Sequence, residues 1–133
     1  MTREVKIKKP VRVFVYSTGE SRPRTAAGGS FETSLISVAG GSNVFGNIKG
    51  VSPQVTWDQV AEAAPEVIII NDFVDLKSAD EKRMFIREKE ELKNIPAVQN
   101  DRFLTLTNLE VFPGAQNVYA IEKMIRFFFP DAM

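Results

Sequence analysis

The chain has 133 residues, 44% of them hydrophobic and 10% aromatic, which suffices for one domain with a single core. Lys+Arg and Asp+Glu both number 17, so no excess of one charge sign attracts nucleic acid or an anionic membrane. The sequence has no Cys and no His, which excludes disulfides, thiol nucleophiles, the Ser-His-Asp triad and metal or haem ligation by thiolate or imidazole. No apolar run approaches the ~20 residues of a membrane-spanning helix.

The first predicted strand covers residues 11–16, where β-branched and aromatic side chains dominate. Residues 1–9 form a basic, polar lead-in that we expect to be flexible and that carries no secretion signal. Residues 17–29 form a long loop rich in Gly, Ser and Pro, and loops of this length are often functional. Arg22 and Arg24 lie in this loop and could donate bidentate hydrogen bonds to an anionic ligand, or be solvated.

Residues 31–39 are predicted to form a helix, and Ser30 is predicted to cap its N-terminus. Its predicted apolar face consists of Phe31, Leu35, Val38 and Ala39. Gly40 and Gly41 supply a left-handed helix end, after which the chain returns to the core at residues 43–45.

Two capping boxes predict the starts of two further helices. They are formed by Thr56 with Gln59 and by Ser78 with Glu81. The first helix is predicted to run from Trp57 to just before Pro65. The second is predicted to be a charged surface helix that extends to about Lys93, with a narrow apolar stripe. That stripe consists of Phe85, Ile86 and Leu92.

Residues 67–70 form an unbroken β-branched run between a proline and Asn71-Asp72. Such a run predicts a central parallel strand that is covered on both faces. In open α/β sheets, ligands bind beyond the carboxyl ends of such strands. We therefore expect Asn71, Asp72 and Phe73 to lie at the working edge of the sheet.

Residues 103–106 are predicted to be the last strand, followed by a loop at residues 107–114. The terminal helix ends at Pro130, and its predicted apolar face consists of Val118, Ile121, Ile125 and Phe128, with Met124 and Phe127 beside it. The alternation of strands and helices predicts a three-layer α/β/α domain with a mostly parallel sheet. Right-handed crossovers would bring the loops at residues 17–29, 71–73 and 107–112 to one edge.

Five motifs then follow one another in a specific order. They are A-G-G-S-N-V-F at residues 39–45, P-Q-V-T-W-D-Q-V at 53–60, P-E-V-I-I-I at 65–70, I-P-A-V-Q-N-D-R-F at 95–103, and a terminal amphipathic helix ending F-P-D. Together they resemble the C-terminal lobe of the solute-binding proteins of ABC importers for iron-siderophores, haem and cobalamin, over about residues 10–131. Full-length members have two such lobes joined by a long rigid helix, with the ligand between them. The resemblance thus implies one lobe, residues 10–133, of a two-lobed protein, without the N-terminal lobe.

The resemblance also implies which residues face the ligand. They are Tyr16, Thr18, Asn71, Asp72, Phe73, Asn108, Glu110 and Phe112. The alternative for the polar members is a solvated turn, and for Tyr16 and Phe73 it is core packing. Ser52 stands where cobalamin-binding relatives present an aromatic residue, which argues against cobalamin as the ligand.

Asp58 lies in the first turn of the T-W-D-Q helix, where a carboxylate is favoured by the helix dipole. In the resembled family, the corresponding acidic residue pairs with an arginine of the membrane permease, so Asp58 is a candidate docking residue. The implied function is a non-catalytic binding component of an ABC importer, with no cofactor, located in the periplasm or anchored outside the cell. Its implied ligand is a metal chelate, namely a siderophore, haem or a corrinoid.

The alternative is a small flavodoxin-like domain that binds a nucleotide or catalyses a reaction at the same sheet edge. The sequence has neither G-x-G-x-x-G nor a P-loop, and Asp72 has no evident catalytic partner. These observations favour the binding module.

Overall fold

A computed structural model of the chain describes residues 9–72 and 77–132. Within them, parallel strands form a four-stranded sheet in the order β2-β1-β3-β4. The strands are β1 (Val11–Tyr16), β2 (Gly41–Asn43), β3 (Val67–Asp72) and β4 (Phe103–Thr107). The predicted α/β class, strand β1 and the central position of β3 are therefore confirmed.

Helices cover both faces of this sheet. They are α1 (Phe31–Val38), α2 (Trp57–Ala63), α3 (Ala79–Arg87), α4 (Pro96–Gln99), α5 (Asn108–Val111) and α6 (Asn117–Phe128), with 3₁₀ turns at Glu90–Leu92 and Pro130–Ala132. Alternate strand side chains point to opposite faces. Val13, Val15 and Ile69 pack with α1, α5 and α6, whereas Phe14 and Ile70 pack with α2, α3 and α4. No helix in this part of the chain is long and apolar enough to cross a membrane.

Strand β3 lies between β1 and β4, and its residues Val67 to Ile70 are almost fully buried. Ile70 is in register with Tyr16, the last residue of β1, and Asp72 is in register with Thr107, the last residue of β4. The carboxyl ends of these three strands therefore meet at one edge, as the sequence predicted.

Both predicted capping boxes are present. In α2 the Thr56 side chain accepts from the Gln59 backbone, and the Gln59 side chain accepts from the Thr56 backbone. Ser78 and Glu81 make the same reciprocal pair at the start of α3. Helix α2 ends at Ala63, as predicted, because Ala64 adopts a left-handed conformation just before Pro65.

The predicted apolar face of α1 is partly wrong. Phe31 and Val38 are 40% and 67% exposed. The buried residues are Glu32, Leu35, Ile36 and Ala39, which follow the i, i+3, i+4, i+7 pattern of a helix face. The sequence pattern fails here because the first position of the buried face holds a charged residue, Glu32.

Three other boundaries or faces also differ from the sequence predictions. Helix α3 ends at Arg87 rather than near Lys93, and a 3₁₀ turn follows it. The segment predicted as a loop after β4 begins with the short helix α5. In α6, Val118 is exposed, and the buried stripe is Ala120, Met124 and Phe128.

Strand β2 was not predicted, because Gly-Ser-Asn has low strand propensity. It forms through its register with β1, in which Val11 pairs with Gly41 and Val13 with Asn43. The Asn43 side chain then anchors the strand end, since its Nδ2 donates to Ala26 O over 2.8 Å and its Oδ1 accepts from Phe45 N.

The corrected face of α1 leads to a test with two substitutions in one helix. Leu35→Ala should lower the free energy of unfolding by about 2–5 kcal/mol, because it opens a cavity in the core. Val38→Ala should change it by no more than ~0.5 kcal/mol, because Val38 is exposed. Urea denaturation of both variants is the measurement. Equal losses would contradict the assignment of the buried face.

Candidate functional site

The candidate site is the ligand edge, which we define as the carboxyl ends of β1, β3 and β4 with the segments that follow them. Ser17 and Asn71, at the ends of β1 and β3, are joined by a hydrogen bond from Asn71 Nδ2 to Ser17 Oγ over 3.2 Å. The predicted convergence of the strand ends is therefore observed in side-chain contacts as well as in strand register.

A buried polar cluster lies beneath the ligand edge, and we define it as Ser17, Glu32, Asn71 and Lys82. Asn71 Nδ2 donates to Glu32 Oε1 over 2.8 Å. Lys82 Nζ donates to the backbone oxygens of Ser17 and Asn71 over 2.7 and 2.9 Å. Glu32, Asn71 and Lys82 are all buried, so the cluster ties the ends of β1 and β3 to α1 and α3.

Sequence reasoning missed Glu32 and Lys82. A signal existed, because each lies one helical turn from a buried apolar residue: Glu32 precedes Leu35 by three positions, and Lys82 precedes Ile86 by four. A charged residue at such a position lies on the buried stripe of its helix. It must then find a polar partner inside the protein.

Burial raises the pKa of the Glu32 carboxyl to about 7, and the hydrogen bond from Asn71 opposes this rise only in part. Glu32 Oε2 and Asn71 Oδ1 are both buried and have no hydrogen-bond partner within the described ranges. The carboxyl thus has an environment in which its neutral form is favoured up to about neutral pH.

Exposed apolar side chains project from the ligand edge. Leu109 and Phe112, just after β4, are 72% and 55% exposed. Helix α5, which carries Leu109, contacts α1, whose first residue Phe31 is also exposed. Thr18 and Asp72 are exposed polar residues at the ends of β1 and β3. The edge therefore combines an apolar surface with polar groups.

Other predicted site residues have partners inside the protein. Tyr16 is buried, its ring contacts Trp57, and its hydroxyl donates to Gly19 O over 2.8 Å. Glu110 Oε1 accepts from the backbone of Thr107 over 2.8 Å, and its carboxylate pairs with Lys123. Asn108 differs from these two, because its Oδ1 is buried and has no hydrogen-bond partner within the described ranges. These placements correspond to the core-packing or turn alternatives for Tyr16 and Glu110.

Hydrogen bonds of Arg24 connect the loop after β1 to the segment at residues 52–54. Arg24 pairs by its backbone with Thr18 and Gln54, and one guanidinium nitrogen donates to Ser52 O over 2.5 Å. Arg22 is exposed. Beside the loop is a cavity of about 440 Å³ lined by Tyr16, Thr18, Gly19, Glu20, Ser21, Lys77 and Lys82. Phe73, another predicted site residue, lies outside the described residues.

Trp57 and Asp58 open α2 but occupy different environments. Trp57 is buried, and its indole Nε1 donates to Glu20 O over 2.7 Å, so it supports the loop after β1 from inside the fold. Asp58 is exposed in the first turn of the helix. The described ranges contain no group of three or more acidic side chains, cysteines or histidines that could hold a metal ion.

The fold of the chain is shared with known proteins. The family model described as periplasmic binding protein matches residues 2–109, most of the chain. The chain belongs to the periplasmic binding protein family. Members of this family are substrate-binding proteins, which favours the binding module over the nucleotide-binding or enzymatic alternative.

Individual relatives agree with this family assignment. The vitamin B12-binding protein of Vibrio parahaemolyticus is 32% identical over 98 residues, covering 74% of this chain and 33% of that protein. A periplasmic binding protein from Veillonella parvula matches with a TM-score of 0.82 and 24% identity. The match covers 95% of this chain and 44% of the Veillonella protein chain. An ABC-type Fe³⁺-hydroxamate transport protein from Saccharomonospora viridis matches with a TM-score of 0.76 and 20% identity, covering 88% and 41%. The chain thus spans less than half the length of these relatives.

The buried polar cluster of this family member gives a test with two lysines. Lys82→Met should lower the free energy of unfolding by about 1–3 kcal/mol, because the buried oxygen of Asn71 and the partly buried oxygen of Ser17 lose a charged donor. Lys77→Met is the control, since Lys77 and Glu20 form an ion pair whose side chains are about half exposed, and such pairs contribute little to stability. Chemical denaturation of both variants is the measurement. A Lys82→Met protein as stable as the wild type would contradict the structural role.

Proposed function

We propose that residues 10–133 form one lobe of the solute-binding protein of an ABC importer, with residues 1–9 as a lead-in. The proposed ligand is a metal chelate, such as a ferric siderophore, held between the ligand edge and a second lobe. The proposed protein acts in the periplasm or anchored outside the cell, delivers its ligand to the membrane permease, and performs no chemistry on it.

The observation that carries this proposal is the composition of the ligand edge. Leu109 and Phe112 expose apolar surface beside the polar residues Thr18 and Asp72, on a base fixed by the buried polar cluster. Ligand sites combine apolar walls with a few placed polar groups. A chelate offers the matching surface, with a hydrocarbon periphery and oxygen or nitrogen atoms near the metal.

The relatives support the same ligand class. The names of two of them specify vitamin B12 and Fe³⁺-hydroxamate, and both ligands are metal chelates. Ser52 at the position of an aromatic residue in cobalamin-binding proteins favours a siderophore over a corrinoid. Arg24 retains donors beyond its bond to Ser52 O, and Arg22 is exposed, so both could meet the oxygens of an anionic ferric chelate.

The chain by itself should bind a chelate weakly, because half of the enclosing surface belongs to the proposed second lobe. Gallium(III) desferrioxamine, a diamagnetic analogue of a ferric hydroxamate, suits a titration followed by two-dimensional NMR. Amide shifts should be confined to the ligand edge, with Leu109 and Phe112 among them, and Phe112→Ala should reduce them. Val38→Ala, a change at an exposed apolar residue of α1, is the control.

Two results would contradict the proposal. Submicromolar affinity of the chain alone would be inconsistent with a site shared between two lobes. Shifts that avoid the ligand edge, or none at millimolar gallium(III) desferrioxamine, cyanocobalamin or zinc protoporphyrin, would be inconsistent with a chelate site at that edge.

The proposed docking role of Asp58 is tested separately. Asp58→Asn in the receptor that contains this lobe should lower transport and leave chelate affinity unchanged, because Asp58 is on α2 and exposed. Replacing the permease arginine by an acidic residue should partly restore transport with Asp58→Arg, as expected for a direct ion pair. Wild-type transport by Asp58→Asn would leave only a helix-dipole role.

A further inference from the structure

Glu32 and Asn71 share one hydrogen bond and have two further oxygens without a donor. Asn71 Nδ2 donates to Glu32 Oε1 over 2.8 Å. Glu32 Oε2 and Asn71 Oδ1 are both buried and without a hydrogen-bond partner in the described ranges. A carboxylic acid and a primary amide can exchange two hydrogen bonds, because each carries one donor beside one acceptor. A proton on Oε2 would supply the missing donor.

We propose that Glu32 is a positioning residue of the ligand edge that acts as a neutral carboxylic acid in a reciprocal pair with Asn71. In this pair Oε2–H donates to Asn71 Oδ1, while Asn71 Nδ2–H donates to Glu32 Oε1. The pair fixes Asn71 at the end of β3 against the first turn of α1. The importance of this pair for ligand binding rests on the proposed function of the edge. The existence of the pair is independent of that function.

Burial, rather than the surrounding charges, favours the neutral acid. The charged member of the buried polar cluster, Lys82, directs its Nζ to the backbone oxygens of Ser17 and Asn71. On the elements packed against Glu32, Asp72 is exposed at the end of β3, and Glu110 of α5 pairs with Lys123 of α6. The start of α1 favours the anion through its dipole. Burial outweighs this, since an ionised Oε2 would be a buried charge without a donor.

The pair couples the ligand edge to pH. Burial raises the pKa of Glu32 from 4.5 to about 7. Between these two values the folded chain holds a proton that the unfolded chain does not, so stability falls as pH rises. The stabilisation from the proton is therefore complete below pH 4.5 and lost as pH rises through about 7. Ionisation places a carboxylate oxygen beside Asn71 Oδ1, which disrupts the pair and releases the contact of Asn71 with Ser17.

The experiment is an NMR titration of the full chain with ¹³C-labelled glutamate. The carboxyl carbon of Glu32 should titrate with a midpoint near 7, and the amides of Ser17 and Asn71 should shift with the same midpoint. Glu32→Gln retains both hydrogen bonds, because its Nε2 donates to Asn71 Oδ1, and its Ser17 and Asn71 amides should not shift. Glu62→Gln, at an exposed position of α2, should keep the wild-type profile.

A Glu32 titration midpoint near 4.5, the ordinary pKa of a glutamate carboxyl, would overturn the proposal. The proposal would also be overturned if the amide shifts of Ser17 and Asn71 did not change with the same midpoint as the Glu32 carboxyl. Because these readouts come from the wild-type chain, they decide the matter even where Glu32→Gln fails to fold. Urea denaturation supplies a second check, since the unfolding midpoint should fall with rising pH in the wild type and much less in Glu32→Gln.

Binding of gallium(III) desferrioxamine at about pH 6 and pH 8.5 separates this inference from the proposed function. Affinity should fall several-fold at the higher pH in the wild type and stay level in Glu32→Gln. Unchanged wild-type affinity, together with a titrating Glu32, would overturn its positioning role. A chain that binds no chelate at either pH would defeat the proposed function, and the amide shifts of Ser17 and Asn71 would still decide whether Glu32 positions the edge.

Discussion

The structure depends on the burial of β3 on both faces. Residues 67–70 are β-branched and almost fully buried, so each face of the strand must pack against helices and each edge must pair with another strand. Parallel neighbours on both edges and helices on both faces satisfy this requirement. They also place the ends of β1, β3 and β4 at one edge. The location of the candidate site is thus a consequence of how the core is built.

The convergence of strand ends creates a second constraint, because their backbone oxygens lose contact with water beneath the edge. Members of the buried polar cluster approach this edge from both sides of the sheet, and Lys82 supplies a donor to two of these oxygens. Lys82 reaches from α3 to the oxygens of Ser17 and Asn71, and Glu32 reaches from α1 to the Asn71 side chain. This arrangement requires that a lysine and a carboxyl be removed from water. In return it fixes the position of the residues that face outward at the ligand edge. A preorganised surface loses less freedom when a ligand binds.

The sequence predicted the elements whose signals are local. The run at residues 67–70, the first strand and the two capping boxes each depend on neighbouring residues, and all were confirmed. Strand β2 could not be predicted, because Gly-Ser-Asn becomes a strand only through its pairing with β1. Glu32 and Lys82 were missed for a related reason. A charged residue on a helix is normally solvated, so their spacing from Leu35 and Ile86 is a weak signal, and the tertiary contacts show that the two are buried.

The same distinction applies to the candidate site. The convergence of the strand ends was predictable from the order of strands, and Phe112 and Asp72 are exposed there. The environments of Tyr16 and Glu110 were not predictable, because their hydrogen bonds to Gly19 O and Thr107 N depend on the exact turns that follow β1 and β4. Exposed Leu109 was overlooked, since a lone leucine in a predicted loop carries no pattern.

Anomalous diffraction at the iron edge, from crystals of this chain grown with ferric desferrioxamine, tests the account most directly. The account predicts an iron peak above the carboxyl ends of β1, β3 and β4, with the chelate in contact with Leu109 and Phe112. An iron peak at the opposite end of the sheet, near the start of β1, would contradict the assignment of the ligand edge.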